Sequence, residues 1–199
     1  MDEMREFTEL TPDQAESFIR YSKNDPFRDD LCREIKESGG TVLDVACGNG
    51  NDSWRYSPTE YTGVDISQPL LDAAQKYCPK HKFILSDVSQ MPFEDEAFDN
   101  VFCVSFLEHL HNLEDTRDCF KEMVRVAKRS IFVVWHNPPY EDKDTEIRSY
   151  HDKTGQHFGL LKWSNWFNTF ELTDGIITKN MKLIRSKHGA KFEKWRINK

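Results

Sequence analysis

The sequence has little of what marks a secreted, membrane-bound or disulfide-built protein. No apolar run in its 199 residues approaches the roughly 18 residues that a membrane helix needs. The first residues are acidic and lack the apolar core of a signal peptide, so we expect a cytoplasmic protein. The five cysteines are odd in number and include no Cys-x-x-Cys pair, which excludes a disulfide scaffold or a zinc finger and favours reduced thiols.

Positive charge is also scarce over most of the chain. The net charge is −7, but residues 178–199 hold eight lysines and arginines against one acid, a balance of +7 that leaves −14 on residues 1–177. A nucleic-acid enzyme usually shows a basic working surface, so the acidic body argues against a polyanionic substrate. The basic end is predicted to be a lysine-rich hairpin at the edge of a sheet.

Apolar β-branched runs alternate with amphipathic helical patterns along the chain. Strands are predicted at residues 41–46, 61–65, 82–86, 100–105 and 131–135. Helices are predicted at residues 12–22, 28–37, 69–77 and 113–127. Runs that are apolar on both faces are typical of buried parallel strands, so the alternation predicts an α/β fold.

No linker or repeat divides the chain, and we predict a single domain over residues 1–199. Within it, residues 1–40 form N-terminal helices, residues 41–136 the ligand-binding core, and residues 137–199 the remainder. That last part is predicted to hold a polar loop (136–157), an aromatic, partly helical segment (158–170) and a hairpin (176–184 with 191–197).

Three of the predicted strands carry an aspartate at or near the carboxyl end, namely Asp44, Asp65 and Asp87. In open α/β sheets, ligands bind at the carboxyl ends of the strands, so these acids are expected at one site. Gly48 and Gly50 follow the first strand and let the backbone approach a ligand closely. An acid in the position of Asp65 can accept hydrogen bonds from both hydroxyls of a ribose. Each acid alone is typical of a helix cap, but the three together with the glycine turn predict a nucleoside site.

The nucleoside is predicted to carry a positively charged tail. A dinucleotide fold needs a third glycine to hold a pyrophosphate, and Ser53 stands at that position. Asp44 would repel a phosphate but attract an ammonium or a sulfonium group. Asp87 suits the edge of an adenine, with Val88 against the ring. A nicotinamide-dependent oxidoreductase is an alternative that Ser53 argues against.

These segments resemble class I S-adenosylmethionine-dependent methyltransferases, in particular the small-molecule and ubiquinone-biosynthesis group. The matching segments are residues 42–50 (VLDVACGNG), 63–67 (GVDIS), 86–93 (SDVSQMPF), 98–101 (FDNV), 105–110 (SFLEHL) and 120–126 (FKEMVRV). The resemblance implies a Rossmann-like, doubly wound sheet of seven strands, mostly parallel with an antiparallel C-terminal hairpin. It also implies S-adenosylmethionine as the methyl donor and S-adenosylhomocysteine as the product.

The resemblance also implies which residues contact the cofactor. The methionine part would be lined by Asp44, Ala46, Gly48 and Asn49, with Gly50 completing the turn. Ribose and adenine would be held by Asp65 and Ile66, and adenine flanked by Asp87 and Val88. Ser105 and Phe106 would lie beside the reacting sulfonium. The family often has glycine where Ala46 stands, and alanine is small enough to fit there.

The acceptor is expected to be a hydroxyl of a small molecule or a glycan, with a sugar favoured. A hydroxyl needs a base, and histidine is the usual choice. The candidates after the fourth and fifth strands are Glu108, His109, His111 and His136. Sugar O-methyltransferases resemble the chain here, which implies His109 as the base and His136 as its partner or alternate. The acceptor pocket would be built from the N-terminal helices, the loop after Leu107 and residues 136–170.

Three further alternatives stay open. Asn137-Pro138-Pro139-Tyr140 has the spelling of the amino methyltransferase signature, although it follows the fifth strand and not the fourth, so an amine acceptor is one alternative. A catalytically silent methyltransferase-like subunit is the second. The third is a metal site, for which suitable ligands are Glu108, His109, His111, Asp115 and His136. Their spacing is not diagnostic, and we predict no metal.

Aromatic side chains are concentrated between residues 158 and 170. Aromatic faces stack well on sugar rings, and Phe158 and Trp163 are the better candidates for this role. Trp166, Phe167 and Phe170 lie at helical spacing and are predicted to pack against the sheet.

Overall fold

A computed structural model of the chain describes residues 8–17, 25–110, 113–136, 148–151, 157–160, 181–185 and 192–198. The helices in these ranges are α1 (Pro12–Ser17), α2 (Pro26–Ser38), α3 (Gln68–Tyr77) and α4 (Leu113–Val126). The strands are β1 (Val42–Val45), β2 (Tyr61–Asp65), β3 (Lys82–Leu85), β4 (Phe98–Val104), β5 (Ala127–His136), β6 (Arg148–His151), β7 (His157–Leu160), β8 (Met181–Arg185) and β9 (Phe192–Asn198). Short 3-10 turns occupy Ser53–Arg55, Val88–Gln90 and Leu107–His109.

Seven of the strands form one sheet in the order β3-β2-β1-β4-β5-β9-β8. Strands β1 to β5 pair in parallel, whereas β9 runs antiparallel to both β5 and β8. The chain order reverses between β1 and β4, and at such a switch point the carboxyl ends of the strands leave a crevice for a ligand. The predicted Rossmann-like α/β fold, mostly parallel with an antiparallel C-terminal pair, is confirmed.

Side-chain alternation along the strands sends apolar groups into two cores on opposite faces of the sheet. On one face, Leu43 and Val45 of β1 pack in the same core as Phe120 of α4. On the other face, Val42 packs in the same core as the apolar side of α2. Because side chains alternate with a period of two, Asp44 belongs to the face of Val42 and is directed toward α2.

Three sequence predictions for the second half of the chain need correction. Residues 136–157, predicted as a loop, contain β6, and β7 begins at their last residue. Phe158 lies in β7 and not in a helix, because short aromatic runs do not distinguish helix from strand by periodicity. The C-terminal hairpin exists, but β8 and β9 begin and end further along the chain than predicted. Residues 161–180 lie outside the described residues.

Part of the basic C-terminal charge is paired within the fold. The Arg196 guanidinium of β9 lies 3.5 Å from the Glu34 carboxylate of α2 and 5.3 Å from the centre of the Phe132 ring. This contact ties the antiparallel strand to the helix that also covers the first strand. At least this basic residue therefore serves the fold and not a separate anionic partner.

Two further features bear on the environment of the protein. None of the helices that the structure describes is long and apolar enough to cross a membrane. All five cysteines are among the described residues, and each is buried and outside any disulfide. Burial raises the pKa of the Cys32 and Cys47 thiols, so both are poor nucleophiles.

Candidate active site

A cavity of about 630 Å³ lies at the carboxyl ends of β1, β2, β3 and β4. Pockets for small molecules measure roughly 300–1,000 Å³, so this one has the size of a ligand site. The sequence-predicted site residues that line it are Asp44, Ala46, Gly48, Asp65, Ile66, Asp87, Val88, Ser105, Phe106 and His109. The cavity therefore brings the ends of four strands together, as the topology requires.

Asp65, the last residue of β2, connects two turns at the cavity. Its Oδ2 accepts a hydrogen bond from the Gly48 backbone N–H at 2.8 Å, and its Oδ1 accepts one from the Ser67 N–H at 2.9 Å. Burial raises the pKa of this carboxyl, while the backbone N–H groups act in the opposite direction. The Ile66 N–H is a third donor to this carboxylate, which has about four acceptor positions, so at least one remains for a hydroxyl group of a ligand.

The two glycines of the turn have different surroundings. Gly48 has φ +54°, and no atom lies within 4 Å of the position that a Cβ would occupy. Gly50 has φ +73°, but its Cβ position lies 3.1 Å from side-chain atoms of Ala74, Phe83 and Ser53. Gly48 thus leaves open space at the cavity, whereas Gly50 permits tight packing behind it. Gly50 is predicted to contact the cofactor, but it is not among the described residues that line the cavity.

We expect alanine substitutions at these glycines to separate binding from stability. Gly48→Ala should cost about 1–2 kcal/mol of folding free energy from the left-handed φ alone. Its methyl group would enter the cavity and lower nucleoside affinity at least about fivefold, since misfitting atoms cost about 1–3 kcal/mol. Gly50→Ala combines both strain and overpacking, so we expect about 2–5 kcal/mol of destabilisation.

The measurement for this pair is chemical denaturation combined with calorimetric titration of S-adenosylhomocysteine. Gly50→Ala should unfold at clearly lower denaturant concentration than Gly48→Ala. Equal stability of the two variants, or an unchanged ligand affinity for Gly48→Ala, would contradict the different surroundings described for the two positions.

Asp44 lines the cavity and is almost fully buried. The Tyr61 hydroxyl donates a hydrogen bond to its Oδ2 at 2.6 Å. Burial raises the pKa of Asp44 well above its usual range, and the nearby Asp52 carboxylate adds to this effect. A positive group bound beside Asp44 would return this carboxyl to its charged form and gain its attraction.

Arg28 and Asp52 also line the cavity and were not found by sequence reasoning. Arg28 comes from α2, and its guanidinium contacts the Asp52 carboxylate directly. Burial alone would lower the pKa of Arg28, but Asp52 and Asp44 raise it overall. No sequence signal identifies this pair, because the charges of α2 look like an ordinary solvated helix face.

Asn49, predicted to line the methionine part, is directed away from the cavity. Its side-chain amide donates a hydrogen bond to the Ala15 carbonyl of α1 at 2.9 Å. The residue is only 1% exposed and is not among those that line the cavity. The Asn49 side chain therefore links the glycine turn to the N-terminal helix, and a contact of this residue with the cofactor stays a prediction.

Asp87 lines the cavity next to the short turn that follows β3. Its Oδ1 accepts hydrogen bonds from both the backbone N–H and the hydroxyl of Ser89, each at 2.8 Å. This arrangement orders the Val88–Gln90 turn and places the buried Val88 in the cavity wall. Cys119 of α4 lies here too, and burial followed by the Asp87 charge raises its pKa to about 12.

The end of β4 supplies the remaining wall. Ser105 has φ +54°, and Ala46 at the end of β1 has φ +56°, both in the left-handed region. Non-glycine residues in this region cost of order 1–3 kcal/mol and are concentrated at functional sites. His109 follows in the 3-10 turn Leu107–His109, and strand β7 packs against this turn.

The structure describes only some of the other residues that are predicted on the acceptor side. His136 is the last residue of β5, at the same edge of the sheet as Ser105, whose N–H donates to the Val134 carbonyl at 2.9 Å. Glu108 lies in the turn that contains His109. Within the described ranges, no three histidine, cysteine, aspartate or glutamate side chains are grouped to hold a metal. The remaining candidates, His111, Trp163, Trp166, Phe167, Phe170 and residues 137–140, lie outside the described residues.

Comparison with known proteins agrees with this geometry. The family model described as "Methyltransferase domain" matches residues 43–134. The tRNA (carboxymethyluridine(34)-5-O)-methyltransferase of Arabidopsis thaliana is 30% identical over 116 residues, which cover 57% of this chain and 28% of that protein. The demethylmenaquinone methyltransferase of Staphylococcus aureus is 31% identical over 131 residues, covering 61% of this chain and 53% of that protein. The chain spans less than two thirds of the length of either curated relative.

A solved structure extends the likeness to the whole fold. S-adenosylmethionine-bound CalS10, an amino pentose methyltransferase from Micromonospora echinaspora involved in calicheamicin biosynthesis, superposes with a TM-score of 0.71. The superposition covers 95% of this chain and 97% of that chain at 12% sequence identity. At this level of identity the likeness shows the fold alone.

Proposed function

Residues 43–134 match the methyltransferase domain model, and from this match we propose that the chain is a class I S-adenosylmethionine-dependent methyltransferase that methylates a hydroxyl of a small molecule or a glycan. S-adenosylmethionine is the cofactor of this family, and it supplies an activated methyl group on a sulfonium. A sugar is the favoured acceptor. The observation that carries the proposal is the cavity at the strand ends, in which Asp65 holds the glycine turn open to a nucleoside.

The residues present fit such a cofactor. The empty space at the Cβ position of Gly48 leaves room for a ligand against the backbone. Asp65 retains acceptor capacity for ribose hydroxyls, and Asp87 uses only Oδ1 on Ser89, which keeps Oδ2 for the amino group of an adenine. Val88 offers an apolar surface for the ring.

On the acceptor side, we assign His109 the role of general base. A sulfonium methyl group is already activated, so the main task of the protein is to align the attacking oxygen in line with the methyl group. His109 lines the cavity after β4 and would accept the proton that the acceptor hydroxyl loses during attack. His136, at the end of the neighbouring strand, is the proposed partner. Strand β7, which packs against the His109 turn, supports placing residues 157–160 near the acceptor.

Calorimetric titration tests the cofactor assignment. We expect S-adenosylmethionine and S-adenosylhomocysteine to bind with micromolar affinity, and NAD not to bind. The dinucleotide is the control because it shares the adenosine but carries a pyrophosphate that Asp44 would repel. Binding of NAD alone would favour an oxidoreductase, and no binding of any of the three would favour a silent methyltransferase-like subunit.

An amine is the second candidate acceptor, and the charge of the cavity supports it. Six carboxylates line the cavity, Asp44, Asp52, Asp65, Asp87, Asp115 and Asp118, and an acidic surface attracts cations. The structural neighbour CalS10 is described as an amino pentose methyltransferase. A sugar and its amino analogue, in which an amino group replaces one hydroxyl, form a matched pair of acceptors. Formation of S-adenosylhomocysteine with one member of a pair only would decide between the two candidates.

A further inference from the structure

Two side chains of α4, Glu122 and Arg125, hold the segment that leads from the Val88–Gln90 turn back to the sheet. Oε2 of Glu122 accepts a hydrogen bond from the Met91 N–H at 3.0 Å. Arg125 donates from Nη2 to the Met91 carbonyl at 3.1 Å and from Nη1 to the Phe93 carbonyl at 2.7 Å. We call Glu122 and Arg125 the backbone clamp, because both bond to the main chain of this segment.

The backbone clamp is itself held in one geometry. Nε and Nη2 of Arg125 donate to the two oxygens of Glu122 at 2.7 and 2.8 Å, which makes a bidentate pair. Nη1 also bonds to Asp95 Oδ1 at 2.9 Å, so every N–H of the guanidinium has a partner. The bond to Glu122 raises the pKa of Arg125, and the same bond lowers the pKa of Glu122, so both groups stay charged. A surface ion pair alone contributes little stability, but a guanidinium bonded at every N–H fixes the groups around it.

The clamped segment has no helix or sheet to satisfy its main chain. Met91 has extended backbone angles, with φ −74° and ψ 138°, and lies between a 3-10 turn and the start of β4. Its side chain is buried in the same core as Val88, while its N–H and carbonyl point to α4. Main-chain groups that leave water need such partners. The backbone clamp therefore determines where this segment, and the turn directly before it, lies against α4.

The turn and the helix that carries the clamp both form the wall of the cavity. All three residues of the Val88–Gln90 turn line it, and Cys119 lines it from α4, about one helical turn before Glu122. Burial, and then the charge of Asp87, raises the pKa of the Cys119 thiol, so Asp87 lies close to this helix. Asp87 holds the turn through Oδ1, and its Oδ2 is the acceptor that we assign to the amino group of an adenine.

We infer that Glu122 and Arg125 are positioning residues that set the selectivity of the cavity for adenine over other purines. Neither of them lines the cavity. They act through the main chain of residues 91–93, which fixes the position of Asp87 relative to α4. The inference rests on the proposed function, because it assumes that the ligand is a nucleoside. It assigns the discrimination between an amino group and a carbonyl on the purine to side chains outside the cavity.

Calorimetric titration of two ligands that differ only in the purine, S-adenosylhomocysteine and S-inosylhomocysteine, measures this selectivity. The second ligand has a carbonyl oxygen in place of the amino group and cannot donate to Asp87. Loss of a hydrogen bond to a charged group should make the wild-type protein prefer the adenine ligand roughly 10- to 100-fold. Arg125→Gln should reduce this preference roughly three- to tenfold by weakening the adenine ligand, because a displaced Asp87 keeps only part of that bond. Arg125→Lys should not restore it, because an ammonium lacks the planar fork that joins two carbonyls and a carboxylate.

Arg129→Gln is the matched control. Arg129 also donates to main-chain carbonyls, those of Ser38 and Gly39, and pairs with Asp99, but it does not line the cavity. Chemical denaturation should show a loss of stability in both Arg125→Gln and Arg129→Gln. Only Arg125→Gln should change the preference between the two ligands.

The outcomes separate positioning from a contribution to stability alone. Should Arg125→Gln fail to fold, Glu122→Gln weakens the same clamp and is expected to lower the preference as well. Lower stability with an unchanged preference would overturn the inference, since the clamp would then support only the fold. Equal affinity of the wild-type protein for both ligands would also overturn it, while leaving the proposed function in place. If the wild-type protein binds neither ligand, the proposed function fails, and the inference fails with it.

Discussion

Asp65→Ala is expected to lower the affinity for S-adenosylhomocysteine roughly 100- to 10,000-fold, because two charge-assisted hydrogen bonds to ribose contribute about 1.5–3 kcal/mol each. Calorimetric titration measures the loss directly. Adenosine should lose affinity by a similar factor, since it carries the same two hydroxyls. A loss confined to S-adenosylhomocysteine would place Asp65 at the amino acid tail instead.

The same substitution also affects the fold, and the two effects can be separated. Asp65 accepts hydrogen bonds from the Gly48 and Ser67 N–H groups, so its removal leaves two buried donors without this partner. Asp65→Asn keeps the shape and one acceptor oxygen but removes the charge. Asp72→Ala, at an exposed aspartate of the following helix that bonds only to Gln68 among the described contacts, is the control and should change neither affinity nor stability appreciably. Unchanged ligand affinity in both Asp65 variants would contradict the ribose assignment.

The sheet was predictable because its signals are local. Strands β1, β2 and β4 show the continuous apolar runs of buried parallel strands, and an aspartate lies at or near the carboxyl end of β1, β2 and β3. Asp44, Asp65 and Asp87 all line one cavity for this reason. Strands β6 and β7 were missed because they are short and pair only with each other, so neither shows the apolar run of a central strand.

The individual contacts were less predictable because they depend on the direction of each side chain in the fold and not on the spacing of residues in the sequence. Gly48 and Gly50 look alike in the sequence, yet only Gly48 leaves space at the cavity, which depends on how α3 and β3 pack behind the turn. Asn49 is directed toward α1 for the same reason. Arg28 contributes to the cavity only through the packing of α2 on the sheet, and no local pattern encodes that contact.

The catalytic assignment leads to the second large effect. His109→Gln should slow methyl transfer to a hydroxyl acceptor by roughly 100- to 10,000-fold, the usual contribution of a general base. Affinity for S-adenosylhomocysteine should stay within about twofold of wild type, because the proposed cofactor contacts lie elsewhere. Substitutions away from such contacts usually change the free energy by no more than about 0.5 kcal/mol. The measurement is the steady-state rate with the sugar or phenol that gives the highest turnover, followed across pH.

The pH profile separates a base from a residue that only packs. A base must be unprotonated to act, so the wild-type rate should fall on acidification, and the variant should lose this dependence. His81→Gln is the control, since His81 bonds to the Tyr56 carbonyl and does not line the cavity. An amine acceptor gives a different result, because above its own pKa it carries a free lone pair and needs no proton removed before attack. His109→Gln could still methylate an amine while losing activity on the matching hydroxyl. That result would mean that the acceptor decides whether the reaction needs a base. Full activity of His109→Gln on a hydroxyl would contradict the assignment, and His136 would then be the base to test.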